Sequence, residues 1–79
     1  MTIKILGIKY PNCIKLEETA KKAAQELNVN AEFVKVKEID KILEYGVART
    51  PGLVINDVVK ASGRIPSVEQ IKAFIQESM

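Results

Sequence analysis

The sequence contains no histidine, no tryptophan and only one cysteine. Without histidine or a second thiol, one copy of the chain cannot assemble an all-protein zinc or iron–sulfur centre, and no metal site is expected. A single cysteine also excludes an internal disulfide, and with it the stapled design of small secreted domains. No apolar run approaches the roughly 20 residues that a membrane helix requires. The opening Met1-Thr2-Ile3-Lys4-Ile5 has a strand pattern and lacks the basic-then-apolar layout of a signal peptide. Charge of one sign is scarce too. Twelve Lys and Arg against ten Asp and Glu leave a formal net charge of +2, with lysines interleaved among glutamates. A nucleic acid calls for a positive surface of one sign, so it is not expected as a partner. The reading is a monomer in a reducing, cytoplasmic setting, away from membranes.

What is present is an ordinary globular composition, 47% hydrophobic and 28% charged, over 79 residues. That length suits a single domain, residues 1–79. Residues 3–6 are mostly apolar and rich in β-branched side chains, and Gly7 ends them, which predicts a strand. From residue 11 to about 27 the period becomes helical. Cys13, Leu16, Ala20, Ala23 and Leu27 share one face, opposite Glu17, Glu18, Lys21 and Lys22. Asn28 and Asn30 suit the helix exit. Residues 31–36 predict a second strand. A short helix follows over about 38–45, with Ile39, Ile42 and Leu43 as its buried stripe and Gly46 at its C-terminal cap.

The last third begins with two strands, residues 53–55 and 58–61, separated by Asn56-Asp57. Both of these residues tolerate positive φ, as a two-residue hairpin turn demands. Ser67, with Gln70 three residues on, has the form of a capping box. It opens a final helix whose inner face is Val68, Ile71, Phe74 and Ile75. The order β-α-β-α-β-β-α predicts an α/β fold. A parallel crossover and a terminal hairpin meet in a four-stranded mixed sheet flanked by three helices.

Three loops carry a family resemblance. Tyr10-Pro11-Asn12-Cys13 resembles the Cys-Pro-x-Cys turn of thioredoxin-like proteins, with Tyr10 standing where the first cysteine would be. Gly46-Val47-Ala48-Arg49-Thr50-Pro51 is similar to that family's cis-proline loop. Ser62-Gly63-Arg64-Ile65-Pro66-Ser67 is similar to the turn into the last helix. The whole chain resembles the small, glutaredoxin-sized redox-active disulfide proteins, which implies the thioredoxin-like fold. Carried over by position, Cys13 matches the second, resolving cysteine and is the candidate catalytic residue. Tyr10, Pro11, Asn12, Thr50 and Pro51 are the candidate substrate-binding residues. The implied partner is a protein or peptide thiol or disulfide. No bound cofactor is implied, and glutathione is the candidate small thiol.

Because Tyr10 cannot form a disulfide, a single chain cannot run the two-thiol cycle, and any redox role is monothiol. The start of the helix and the neighbouring Lys9 act to lower the Cys13 pKa, while burial along the Leu16-Ala20 stripe acts to raise it. Three readings of Cys13 stand side by side: a buried inert thiol, a reactive monothiol, and a bridge between two copies. The Tyr10 ring either caps the core beneath its loop or offers a flat platform to a partner. Pro51 either shapes a structural turn or leaves the backbone of Thr50 open to an extended substrate. Arg49 either is solvated or meets an acidic ligand such as the glutathione carboxylates. The Lys21, Lys22, Lys35, Lys37 and Glu17, Glu18, Glu32, Glu38 surface reads as a solvated face. Against the redox reading stands a non-enzymatic peptide- or protein-binding module on the same scaffold.

Overall fold

The computed structural model describes residues 1–7 and 10–79, with the backbone alone at residue 10. Lys9 and the Tyr10 side chain, two of the groups weighed above, lie outside the described residues. The elements run β1 (Thr2–Leu6), α1 (Tyr10–Glu26), β2 (Glu32–Val36), α2 (Ile39–Glu44), β3 (Gly52–Ile55), β4 (Val58–Ser62) and α3 (Val68–Glu77). The sheet order is β2-β1-β3-β4. β1 pairs parallel with β2 and antiparallel with β3, which pairs antiparallel with β4. This is the mixed sheet of a thioredoxin-like fold.

Alternation along each strand divides the side chains between two faces. Ile3 and Ile5 of β1 and Leu53 and Ile55 of β3 point to one side, where they meet Leu16, Ala20 and Ala23 of α1 and Ile71 and Ile75 of α3. Small residues on α1 let that helix lie close to the sheet. Leu6 and Val54 point to the other side, against Ile42 of α2 and Val47.

The element ends follow from local chemistry. After α1, Asn28 adopts φ 57°. The Asn28 amide donates to the Gln25 carbonyl at 3.0 Å and the Val29 amide to the Ala24 carbonyl at 2.9 Å, the paired bonds of a Schellman motif. Asn56 and Asp57 take φ 49° and 67°, as the β3–β4 turn requires. The Ser67 hydroxyl accepts from the Gln70 amide at 3.2 Å and the Gln70 side chain accepts from the Ser67 amide at 3.1 Å, completing the capping box of α3.

Two sequence expectations need correction. The helix α1 starts at Tyr10, one residue earlier than the pattern suggested, so Pro11 is its second residue and Cys13 its fourth. In α2 only Ile42 is buried. Ile39 and Leu43 are each 58% exposed, so the predicted stripe of three is a single anchor. With six residues α2 covers little more than one turn's width of sheet, and Ile39 and Leu43 on its outer side stay largely uncovered among the described residues. The charged surface also departs from a purely solvated face at one point. Glu17 is largely covered and ties α1 to β2 through Lys35 at 3.1 Å, with Lys21 at 3.6 Å.

Candidate functional site

The site is built by strand register. Leu6 of β1 lies opposite Gly52 of β3 in an antiparallel pair. The residue after Leu6 therefore runs alongside the residues before Gly52, which brings Gly7 to the Thr50-Pro51 bend. Gly7 is buried, and its amide extends the β1 ladder by donating to the Val36 carbonyl at 3.0 Å. The first turn of α1 then returns Cys13 to the same point.

Gly7 records how closely these segments meet. A Cβ placed on Gly7 would overlap the Cys13 sulfur and would lie 3.7 Å from the Thr50 Cβ. Cys13 is half-buried and packs against the core shared by α1 and α3. Its sulfur thus fills the space that a side chain at residue 7 would occupy, with Thr50 as the adjoining wall. Pro11 and Asn12, the residues before Cys13, are exposed at the start of the helix.

The Thr50-Pro51 peptide is cis, and Pro51 itself is buried. The carbonyls on either side of Thr50 are taken. That of Arg49 accepts from the Ser62 hydroxyl at 3.1 Å, and that of Pro51 from the Gly63 amide at 2.9 Å. Thr50 is half-buried, and among the described residues no hydrogen bond involves its amide or its carbonyl. A peptide group in that state, fixed on both flanks, is suited to accept an extended chain. Arg49 is exposed, and its alkyl chain lies against Gly63.

Beside Thr50 runs a groove of about 150 Å³ lined by Ile39, Ile42, Leu43, Val47, Ala48 and Thr50. It joins the uncovered side of α2 to the bend. A cavity of about 480 Å³ lies at the far end of α1, where Lys21, Asn28 and Phe33 help to line it. Cys13 is not among the described residues that line it.

The structure thus brings Cys13, Thr50 and Pro51 together, with Pro11 and Asn12 at the rim. Two contributors were missed in the sequence. Along the sequence Gly7 marks only the end of a strand, although a glycine between a strand and a cysteine-bearing helix is a signal of close approach. Ser62 and Gly63 have the pattern of a turn into α3, yet they also hold the backbone on both sides of Thr50. Among the described residues no cluster of three or more His, Cys, Asp or Glu could hold a metal ion. Among them, no helix is long and apolar enough to cross a membrane.

A family model described as a thioredoxin domain matches residues 1–76. The thioredoxin of Methanothermobacter thermautotrophicus is 44% identical over 75 residues, 95% of this chain and 97% of its own. The thioredoxin of Methanocaldococcus jannaschii is 44% identical over 72 residues, 91% of this chain and 83% of its own. These similarities favour the redox reading over the binding module.

Proposed function

The chain belongs to the thioredoxin family as a thiol–disulfide oxidoreductase-like domain, and from that premise we propose that it carries out disulfide exchange through one thiol, that of Cys13. The observation that carries the proposal is the convergence of the Cys13 sulfur and Thr50 on the bare Cα of Gly7. A nucleophile and a backbone group at Thr50 that is unpaired among the described residues lie side by side, so a disulfide-bearing chain laid along Thr50 would present its sulfurs to Cys13.

The step is a thiol–disulfide exchange. The Cys13 thiolate attacks one sulfur of the substrate disulfide. The S–S bond breaks, a mixed disulfide forms on Cys13, and the second substrate sulfur leaves as a thiolate that takes up a proton. An external thiol, glutathione or a protein thiol, then loses its proton, attacks the substrate sulfur of the mixed disulfide and releases the Cys13 thiolate, leaving a new disulfide between that thiol and the substrate. A second external thiol attacks this disulfide and frees the remaining substrate thiol, so two external thiols become one disulfide as the substrate disulfide becomes two thiols, without a second cysteine in the chain. Tyr10 stands at the position of the missing thiol, and Pro11 and Asn12 border the approach. Thr50 pairs with the backbone of the substrate, and the groove beside α2 receives one of its apolar side chains. The substrate class is a protein or peptide disulfide, met by the chain as a monomer in a reducing, cytoplasmic setting.

Reduction of a protein disulfide, with dithiothreitol or glutathione as electron source, tests the proposal. Cys13→Ser is expected to abolish the catalysed rate, and equal rates for the two proteins would remove Cys13 from the mechanism. Alkylation followed against pH is expected to show a midpoint below the ordinary thiol value of about 8.5. Labelling that begins only on unfolding would mark an inert thiol.

A further inference from the structure

Resting on that monothiol reading, we infer that Gly7 is a positioning residue for Cys13, and that its missing side chain is the niche in which the sulfur is held beside Thr50. Glycine is required at many turns because the backbone takes a positive φ, as at Gly46 (φ 77°) and Gly63 (φ 75°). Gly7 is not among these residues, so an alanine is conformationally allowed there. What excludes a side chain at residue 7 is space, and the space is taken by one atom, the Cys13 sulfur. The next nearest atoms, the Cβ of Cys13 and the Cβ of Thr50, both stand at 3.7 Å, ordinary contact.

The consequence is specific. Among the described residues, a methyl group at residue 7 overlaps neither backbone nor a rigid core side chain. It is accommodated when Cys13 turns about its single side-chain torsion into another staggered position. The fold then survives, but the sulfur leaves its niche and points away from Thr50. The thiol becomes more open to a small reagent and worse placed for a disulfide held along the bend. Gly52 provides the contrast. A Cβ there would press on Val47 at 3.3 Å and Leu6 at 3.4 Å, and its three nearest contacts do not include Cys13.

The experiment measures two rates on the folded wild type, Gly7→Ala and Gly52→Ala: alkylation of Cys13 by iodoacetamide, and exchange with a protein disulfide. Gly7→Ala is expected to raise alkylation about tenfold and to lower exchange about a hundredfold, since a displacement of about 1 Å or more at a reacting atom has effects of that order. Gly52→Ala is expected to leave the alkylation rate within about twofold. The opposite movement of the two rates is the signature of positioning, because general loosening of the structure does not produce it. Both rates unchanged in Gly7→Ala, both moving together, or the same pattern in Gly52→Ala would overturn the inference. If Gly7→Ala does not fold, Gly7→Ala combined with Cys13→Ala must restore folding, because the sulfur is then gone; a double variant that also fails to fold would overturn it. The alkylation arm is independent of turnover. A wild type no faster in exchange than Cys13→Ser, with alkylation still raised in Gly7→Ala, would sink the monothiol reading and leave the niche standing.

Discussion

The Lys4 ammonium donates a hydrogen bond to the Tyr45 hydroxyl at 2.6 Å and lies 5.4 Å from the centroid of the same ring. The contact joins the middle of β1 to the C-terminal cap of α2, which otherwise holds to the sheet through the buried Ile42. Tyr45 is the leading cause that holds the Lys4 pKa above the ordinary lysine value of 10.5; desolvation opposes it, and Asp57, 3.5 Å away, adds to it.

The sign of the pH dependence follows. A lysine whose folded pKa is raised contributes stability that is complete below its unfolded value and is lost as the pH rises through the folded value. Lys4→Met is therefore expected to lower the urea midpoint by a constant amount from about pH 7 to about pH 9, with the gap to wild type closing above about pH 10.5. Paired unfolding curves across that range check this. A gap that persists undiminished at about pH 11 would show that the stabilisation does not depend on the lysine charge.

The two apolar neighbours on α2 differ in environment and should differ in effect. Ile42 is buried against Leu6, Val47 and Val54, whereas Leu43 is largely exposed. Ile42→Ala is expected to cost about 2–4 kcal/mol through lost burial and a residual cavity. Leu43→Ala should stay within about 0.5 kcal/mol. Equal losses in urea unfolding would mean that α2 packs through more than one residue.

Tyr10→Cys tests the alignment of the active-site turn. Residues 10 and 13 are the first and fourth of α1 and so share one face of its opening turn. A cysteine pair there is expected to bridge under mild oxidation, protecting both thiols from alkylation until dithiothreitol is added, with a defined reduction potential. Two thiols that remain open to alkylation after oxidation would show that the turn does not match a Cys-Pro-x-Cys loop.

Much of the fold was legible along the chain because its signals are short-range. Asn56-Asp57, Asn28 and the Ser67–Gln70 pair announce backbone conformations set by their own residues. All three appear where the pattern placed them. The apolar stripe of α1 was equally readable, because a 17-residue helix displays several turns of its period. In α2 the period overstates burial. Ile39, Ile42 and Leu43 have helical spacing, but spacing says only which residues share a face, not how much of that face a neighbour covers.

The candidate site was legible as residue types, and its assembly was not. Cys13 and the Thr50-Pro51 bend were found by resemblance of their loops, each read in isolation. Gly7 and the Ser62-Gly63 turn were seen only as punctuation between elements. What gives them a role is position relative to segments far away in the chain.

Sequence alone determined the order of elements, the turns between them and the presence of one thiol at the start of a helix, because propensity, periodicity and capping act between residues a few places apart. Tertiary structure decided that this thiol fills the space at Gly7 beside Thr50, and that one side of α2 stays uncovered. Both depend on the antiparallel register of β1 on β3, with Leu6 opposite Gly52. That register comes from packing the two faces of the sheet at once, a balance over the whole core that no short stretch of sequence contains.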